Sequence, residues 1–374
     1  MWTLDTVLEY EKAGAWPKKV LPRELYAWGQ NAFGSLGIGN TIVMSSPVQV
    51  GALTDWSEVA VGSNFSASVK TNGTLWAWGI NYAGTLGDGT IVDRSSPVQI
   101  GALTSWHKVE AGRFHTVSIK TDGTLWAWGG GAEGQLGDNT VVNKSSPVQI
   151  GALTDWSQLT AGYKHTAAVK TNNTLWTWGM NSYGELGQTN VISRSSPVQV
   201  GSLTDWAIVS AGRSFTAAIK TTGTIWAWGY NGLGSLGDGT VIRRSSPVQI
   251  GSLTNWSQLS TGSFHVSSVK ANGTLWAWGW NNSGRLGDGT VINRSSPVQI
   301  GNLTTWSHVA ASNRNIRAIK TDGSLWVSGG GGDGELGDDT IINKSSPIQV
   351  GALTTWSKIA RGPMAAHALA ITKG

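Results

Sequence analysis

The chain has 374 residues, 40% of them hydrophobic and 13% charged, with a formal net charge of +5; this is enough apolar material for one large core, and the length alone does not demand several domains. Cysteine is absent while Gly reaches 51 and Trp 22, which excludes disulfide frameworks, thiolate metal sites and cysteine nucleophiles and implies a low-charge, turn-rich surface. No apolar run is long enough for a membrane span, and the N-terminus lacks the basic-then-apolar pattern of a secretory leader.

Residues 1–23 stand apart from the rest of the chain. Thr3 or Asp5 can cap a short helix bearing Leu4, Val7, Leu8 and Glu11 on one side, ended by Gly14 with Pro17 beyond, and Trp2 and Trp16 flank it. Such a segment reads as a docking arm onto another chain, or as an arm folded back over its own domain.

Residues 24–374 are a repeat array. LWAWG or a near variant begins at Leu25, Leu75, Leu125, Leu175, Ile225, Leu275 and Leu325, and the glycine of G-x-L-T-x-W falls at Gly51, Gly101, Gly151, Gly201, Gly251, Gly301 and Gly351. A strict period in this range signals a solenoid, a propeller or an array. Taking residues 46–79 as one unit, four β-type runs are separated by turn signals: SPVQV, WSEVAVG, FSASVK and TLWAWG. Asn72-Gly73 predicts a type I′ hairpin turn between the last two, and Asp122-Gly123, Asn272-Gly273 and Asp322-Gly323 repeat it.

Alternation places Trp76 and Trp78 on one strand face and Leu75 and Ala77 on the other. A strand apolar on both faces is buried on both sides, and a ring of stacked four-stranded sheets meets that demand. The expected fold is therefore all-β, a seven-bladed β-propeller. The chain ends at HALAITKG, lacking the partner of that strand, while its repeats begin at Leu25–Gly29 with no strand before them. Pairing the two ends completes a blade and removes two open edges. Aligning His367 with His165 requires a two-residue insertion in RGPMAAH.

The motifs W-G-x-N-x-x-G-x-L-G-D-G-T, S-S-P-V-Q-I and A-G-x-x-H-T-x-A-I-K resemble those of the regulator of chromosome condensation repeat family. The resemblance covers residues 24–374 and implies the propeller fold; the family hosts a nucleotide exchange factor for a small GTPase, a plant ultraviolet photoreceptor and interaction modules, so fold alone does not select among them. The exchange factor implies a wedge-like insertion and a basic N-terminal tail, and this sequence shows neither. The photoreceptor implies G-W-R-H-T loops, but Ser63, Arg113, Tyr163, Arg213, Ser263 and Asn313 occupy the tryptophan position. The tryptophans fall instead in LWAWG and LTxW, where packing between blades accounts for them.

Chemistry-bearing motifs dissolve against the repeat. Gly129, Gly131 and Gly134, like Gly329, Gly331 and Gly334, fit G-x-G-x-x-G, yet a further turn follows where a dinucleotide site needs a helix. The Asp of L-G-D (Asp88, Asp138, Asp238, Asp288, Asp338) gives one carboxylate per unit, too few for calcium, and fits an Asx turn. His115, His165 and His265 share one repeat position, with Phe65 and Phe215 replacing it elsewhere; buried structural histidines are expected, and no metal site. The nonrepeating carboxylates Glu110, Glu133, Glu185, Asp333, Glu335 and Asp339 lack a recognisable nucleophile or base partner, so no catalytic residue and no cofactor is assigned. Lys70, Lys120, Lys170, Lys220, Lys270 and Lys320, with Arg94, Lys144, Arg194, Arg244, Arg294 and Lys344, form rings rather than one patch, which disfavours nucleic acid as a partner.

Variation concentrates in one loop after LWAWG, which supplies Met180, Tyr183, Tyr230, Leu233 and Trp280 as one arc and Phe33, Ile80 and Tyr82 as a second, separated by glycine-rich acidic loops at 129–134 and 329–334. A second variable loop supplies Arg113-Phe114, Tyr163-Lys164, Arg213-Ser214, Ser263-Phe264 and Arg314 with Arg317. Exposed apolar, aromatic and arginine side chains mark binding surfaces. The expected function is thus noncatalytic: a protein-interaction or assembly module with other chains as partners and a surface glycan as a further ligand. The repeat units also resemble those of bacterial and bacteriophage propellers, which implies a virion- or surface-associated component meeting a host surface. The alternative is a soluble regulatory propeller binding a small GTPase or nucleic acid.

Overall fold

The computed structural model describes residues 22–374; the predicted helix and docking arm with Trp2, Leu4, Val7, Leu8 and Trp16 lie outside the described residues. Seven four-stranded antiparallel sheets follow one another around a ring, and the described residues contain no α-helix, only a 3-10 turn at Tyr82–Gly84. The first blade comprises Trp56–Val61, Phe65–Lys70, Leu75–Gly79 and Arg94–Gln99, in that spatial order. Five more blades repeat it at Trp106, Trp156, Trp206, Trp256 and Trp306. The closing blade joins Trp356–Ile359 and His367–Thr372 to Leu25–Gly29 and Met44–Gln49.

Closure through the termini agrees with the sequence reading, with Leu25 opposite Ile371 and Gly29 opposite His367. Two local expectations are corrected. The S-S-P-V-Q strand is the outer strand of the blade before it, since Met44–Gln49 pairs with Leu25–Gly29. The long loop after LWAWG returns the chain along the same sheet, and the short G-x-L-T link then steps inward to the next blade.

The hairpin turn is also not type I′. Gly73 has φ +76 but Asn72 is not left-handed, and the Gly73 amide donates to the Lys70 carbonyl at 2.9 Å. This is a type I turn followed by one left-handed residue. Asn72 instead accepts from the Thr74 amide and hydroxyl at 3.1 and 2.7 Å, which explains why Asp serves equally well at position 122. A Cβ on Gly73 would lie 2.0 Å from the Thr104 carbonyl oxygen.

The core lies between blades. Trp56 meets Trp76 and Trp78 edge-on at 6.2 and 6.1 Å, and Trp56 and Trp78 pack with Leu25, Leu36 and Leu369 of the preceding blade. Leu75 and Ala77, on the opposite strand face, pack with Trp106 and Trp128 of the following blade. Burying each large apolar side chain contributes about 1.5–3 kcal/mol.

A complete polar node accompanies three of the seven apolar seams. The Gln135 carbonyl accepts from Trp178 Nε1 at 2.9 Å and from Thr166 Oγ1 at 2.8 Å, both in the next blade. The Glu185 carbonyl accepts from Trp228 and Thr216, each at 2.8 Å, and the Ser35 carbonyl from Trp78 and Ser66 at 2.9 and 2.8 Å. Because each hydroxyl proton is engaged by that carbonyl, its oxygen must accept from the histidine of the preceding blade. His115 Nε2 donates to Thr166 and His165 Nε2 to Thr216, each at 3.0 Å, and His367 Nε2 to Ser66 at 2.9 Å. The buried structural histidines expected from sequence thus set blade-to-blade register. Where Phe215 replaces histidine, the hydroxyl position opposite is Val266 and both side chains are fully buried.

That natural apolar pair predicts a compensation. Thr216→Val should cost about 1–3 kcal/mol by stranding His165, whereas adding His165→Phe should restore much of the loss, because removing both partners is far cheaper than removing one; urea unfolding of the two variants measures it.

Burial lowers His115, His265 and His367 to about 3 and His165 to about 4. Each therefore stays neutral in the fold but gains a proton on unfolding below about 6.5. Glu110 and Glu185, raised by burial to about 7, act in the opposite direction between their unfolded and folded values. Burial also raises Glu335 and lowers His308; five histidines outweigh three carboxylates, so stability should fall as pH drops from about 6.5 toward 4. Chemical denaturation across that interval should show it, and stability constant or rising on acidification would contradict the burial argument.

Candidate functional site

In an up-and-down sheet the first and third connections lie at the same end, so the turn after the inner strand and the long loop after LWAWG share one face. Around the axis on this face, backbone amides link neighbouring blades: Arg113 donates to the Gly162 carbonyl, Tyr163 to Gly212 and Arg213 to Ser263, each at 3.3 Å.

The side chains on this collar stack into a ladder. Tyr82 meets Phe114 edge-on at 5.4 Å. The Arg113 guanidinium lies 4.5 Å from the Phe114 ring and 4.6 Å from that of Tyr163, whose hydroxyl it also contacts. Arg213 bridges Tyr163 and Phe264 at 5.2 and 5.3 Å. Phe264 continues to Tyr230 at 5.4 Å and to Trp280 at 5.8 Å, and Tyr230 to Tyr183 at 5.3 Å. Arginine–aromatic pairs of this kind contribute about 0.5–1 kcal/mol each when exposed and more when desolvated.

The two arcs expected from sequence are therefore one across the first five blades, because Arg113, Phe114 and Tyr163 bridge the gap left by the glycine-rich loop at 129–134. Tyr82 is 63% exposed and Tyr183 40%. Met180 joins Tyr163, Tyr183, Arg213 and Tyr230 around a shallow cavity of about 330 Å³. Phe33, also exposed, lies on the closing blade away from these stacked pairs, Ile80 packs partly onto the core, and Leu233 is half-buried.

Two residues were placed differently by the sequence. Arg317 is not a loop residue: it lies in the strand Asn315–Lys320, fully buried, and donates to the Glu335 and His367 carbonyls at 3.4 and 3.3 Å. Arg285, overlooked in the sequence, packs its guanidinium 3.8 Å from the Trp280 ring and donates to the Asn313 carbonyl at 3.0 Å. The signal was available, since serine, threonine, glutamine or glutamate occupies the equivalent position in every other unit.

Most of the repeating cations have partners, the exception being Arg194, whose unit carries Gln188 in place of the loop Asp and whose Nε is buried without one. Arg94, Arg244 and Arg294 pair with Asp88, Asp238 and Asp288 at 2.7–2.8 Å, while Lys120, Lys270 and Lys320 lie 3.6–3.7 Å from the Trp126, Trp276 and Trp326 rings. The L-G-D carboxylate closes its own loop as expected, with Asp88 accepting from the Thr90 amide and from Asn81 at 3.0 Å. Hydrogen bonds and Arg94 hold it below the ordinary carboxylate range despite burial.

The nonrepeating carboxylates do not converge. Glu133 pairs with Lys164 at 2.8 Å and Asp333 with Arg314 at 3.5 Å, whereas Glu185 and Glu335 accept from the Tyr183 and Asp333 amides inside their own loops. Among the described residues, no group of three or more His, Asp or Glu could hold a metal ion, and no helix is long and apolar enough to cross a membrane.

The RCC1-like domain family model matches residues 20–256, and the regulator of chromosome condensation (RCC1) repeat model matches residues 272–318. The chain belongs to the RCC1-like family. No curated protein matches it. Similar solved structures include human WBSCR16, at 17% identity and a TM-score of 0.85 over 94% of this chain and 99% of that one. Prp20p from Saccharomyces cerevisiae matches at 18% identity and a TM-score of 0.84, over 95% and 92% of the two chains. A complex of Kap60 with yeast RCC1 (Prp20) matches at 17% identity and 0.82, over 94% and 89%. At these identities the likeness is one of fold.

Proposed function

We propose that this RCC1-like chain is a noncatalytic protein-binding propeller whose partner docks on the ladder from Tyr82 to Trp280. The observation that carries the reading is the alternation of Phe114, Arg113, Tyr163, Arg213 and Phe264 across four blades. Rigid aromatic rings and arginine forks supply contact area at low conformational cost, which is why they dominate protein-binding hot spots. Filling of gaps between blades accounts for Ile80, but not for Tyr82 and Tyr183, whose rings stand in solvent.

Other surfaces fit less well. The exposed pairs Ile91-Val92 and Val141-Val142 recur with little change in every blade, so they offer a partner no preferred orientation. The basic rings are occupied by aspartates and indoles, which leaves little free positive charge for nucleic acid.

Between the two functional expectations, a regulatory propeller with protein partners has the better support. The yeast relative has been solved bound to Kap60 and has been characterised for binding to Gsp1p and histones. The expected virion or surface component finds no support in the three similar structures described above. A glycan ligand rests on the aromatic rings alone.

Affinity purification from the native lysate with quantitative mass spectrometry tests the reading. Arg213→Ala and Tyr82→Ser should each reduce recovery of a specific partner at least about tenfold, the effect of a hot-spot truncation. Leu303→Ser, on the opposite face, should leave it unchanged. Loss with the Leu303 variant and full recovery with both ladder variants would contradict it.

A further inference from the structure

The inner strands enclose an axial pocket of about 230 Å³, distinct from the ladder, whose lining includes Glu58, Lys108, Glu110, His308, Lys358 and Arg361. Its chemistry departs from the repeat in two places. Position 110 carries Glu where the other blades have Ala, Thr or Ser, and Arg361 stands where the other units have Val, Ala or Thr. Arg361 bridges Ala60 in a parallel pairing between the closing and first blades, and Glu110 lies on the next inner strand, opposite Val117. The two-residue insertion that follows Gly362 lays Pro363 over the collar, where its carbonyl accepts from Ser263 Oγ at 2.7 Å, across two blades.

The charges in the pocket are not all satisfied. Lys358 is committed to Glu58 and to the Ser57 carbonyl. Lys108 donates one proton to the Ser157 carbonyl at 2.6 Å and keeps two for another acceptor. Arg361 makes no side-chain hydrogen bond or ion pair with the described residues, although it lines a cavity of several water volumes. A guanidinium and an ammonium converging on a partly desolvated polar cavity suit an oxygen anion. Glu58 does not oppose it, being neutralised by Lys358.

We propose that this axial pocket binds a small oxyanion, with Arg361 and Lys108 as its ligands and Glu110 as the group that modulates its affinity. Burial is the main cause holding the Glu110 carboxyl up at about 7, with Arg361 and Lys108 opposing it and Glu58 reinforcing it. Facing it from other blades, His308 is lowered by burial and by Arg361 and Lys358, Gln158 carries no charge, and Lys358 stays paired. Below about 7, Glu110 is neutral and can donate to the anion; above it, a second negative charge enters the pocket. Anion affinity should therefore rise on acidification.

Equilibrium dialysis of the full chain against radiolabelled sulfate, whose own charge is constant between pH 6 and 8, tests this at fixed ionic strength. One sulfate should bind per chain, several-fold more tightly at pH 6. Arg361→Gln should weaken it at least about tenfold, the loss of a charged hydrogen bond, and Glu110→Gln should bind with no difference between the two pH values. Lys108→Met carries the same prediction as Arg361→Gln should that variant fail to fold. Arg213→Ala, on the ladder, should bind normally. Absence of saturable binding by the unmodified chain, unchanged binding in the pocket variants, or loss with Arg213→Ala alone would overturn the proposal.

Discussion

At three of the seven seams one backbone carbonyl is shared by an indole N–H and a hydroxyl of the next blade, and this fixes how those neighbouring sheets meet. Sheets that are apolar on both faces could slide over one another if only hydrophobic burial held them, because that attraction has no direction. The carbonyls of Ser35, Gln135 and Glu185 remove that freedom, since a shifted blade would strand an indole N–H, a hydroxyl and a histidine together. At Phe215 and Val266 the histidine–hydroxyl pair is replaced by matched apolar side chains. The closing blade uses the same node, through His367 and Ser66, so chain ends and interior are joined alike.

With register fixed by repeated features, the scaffold tolerates differences at the ends of its strands. The ladder occupies the turns and loops at one end of five blades, where side-chain identity varies and the backbone hydrogen bonding does not. The axial pocket arises differently, from the substitutions that place Glu110 and Arg361 at repeat positions held elsewhere by small or apolar residues. Both places break the repeat, and neither disturbs the seams. A repeat fold thus separates what stabilises it from what distinguishes it: shared chemistry between blades, individual chemistry at their ends and along the axis.

Much of this architecture was legible in the sequence. The strict repeat of LWAWG, its double-sided apolar pattern and the half-units at the termini determine a closed ring of seven blades. Blade boundaries were not, because S-S-P-V-Q lies next in sequence to the inner strand it does not pair with, and only the sheet order reveals this. The Asn72-Gly73 pair suggested a type I′ turn, but the asparagine serves through its side-chain oxygen and leaves the left-handed position to glycine. On the docking face, residue types were readable and their adjacency was not: Tyr82 and Phe114 come from different blades. Antiparallel connectivity would have placed both loops on one face. Arg317 was misplaced because its charge suggested a loop, whereas it lies buried in the sheet with its Nη2 donating to two backbone carbonyls.

The central claim is that function resides on the ladder face and not on the symmetric remainder of the ring. Hydrogen–deuterium exchange of the chain, free and in its isolated native complex, tests this most directly. The account predicts slowed exchange in peptides spanning residues 80–84, 113–114, 163–164, 180–183, 213–214, 230–233 and 264, with the G-x-L-T links and outer strands unchanged. Protection confined to those links or outer strands, with the ladder exchanging as in the free chain, would contradict it.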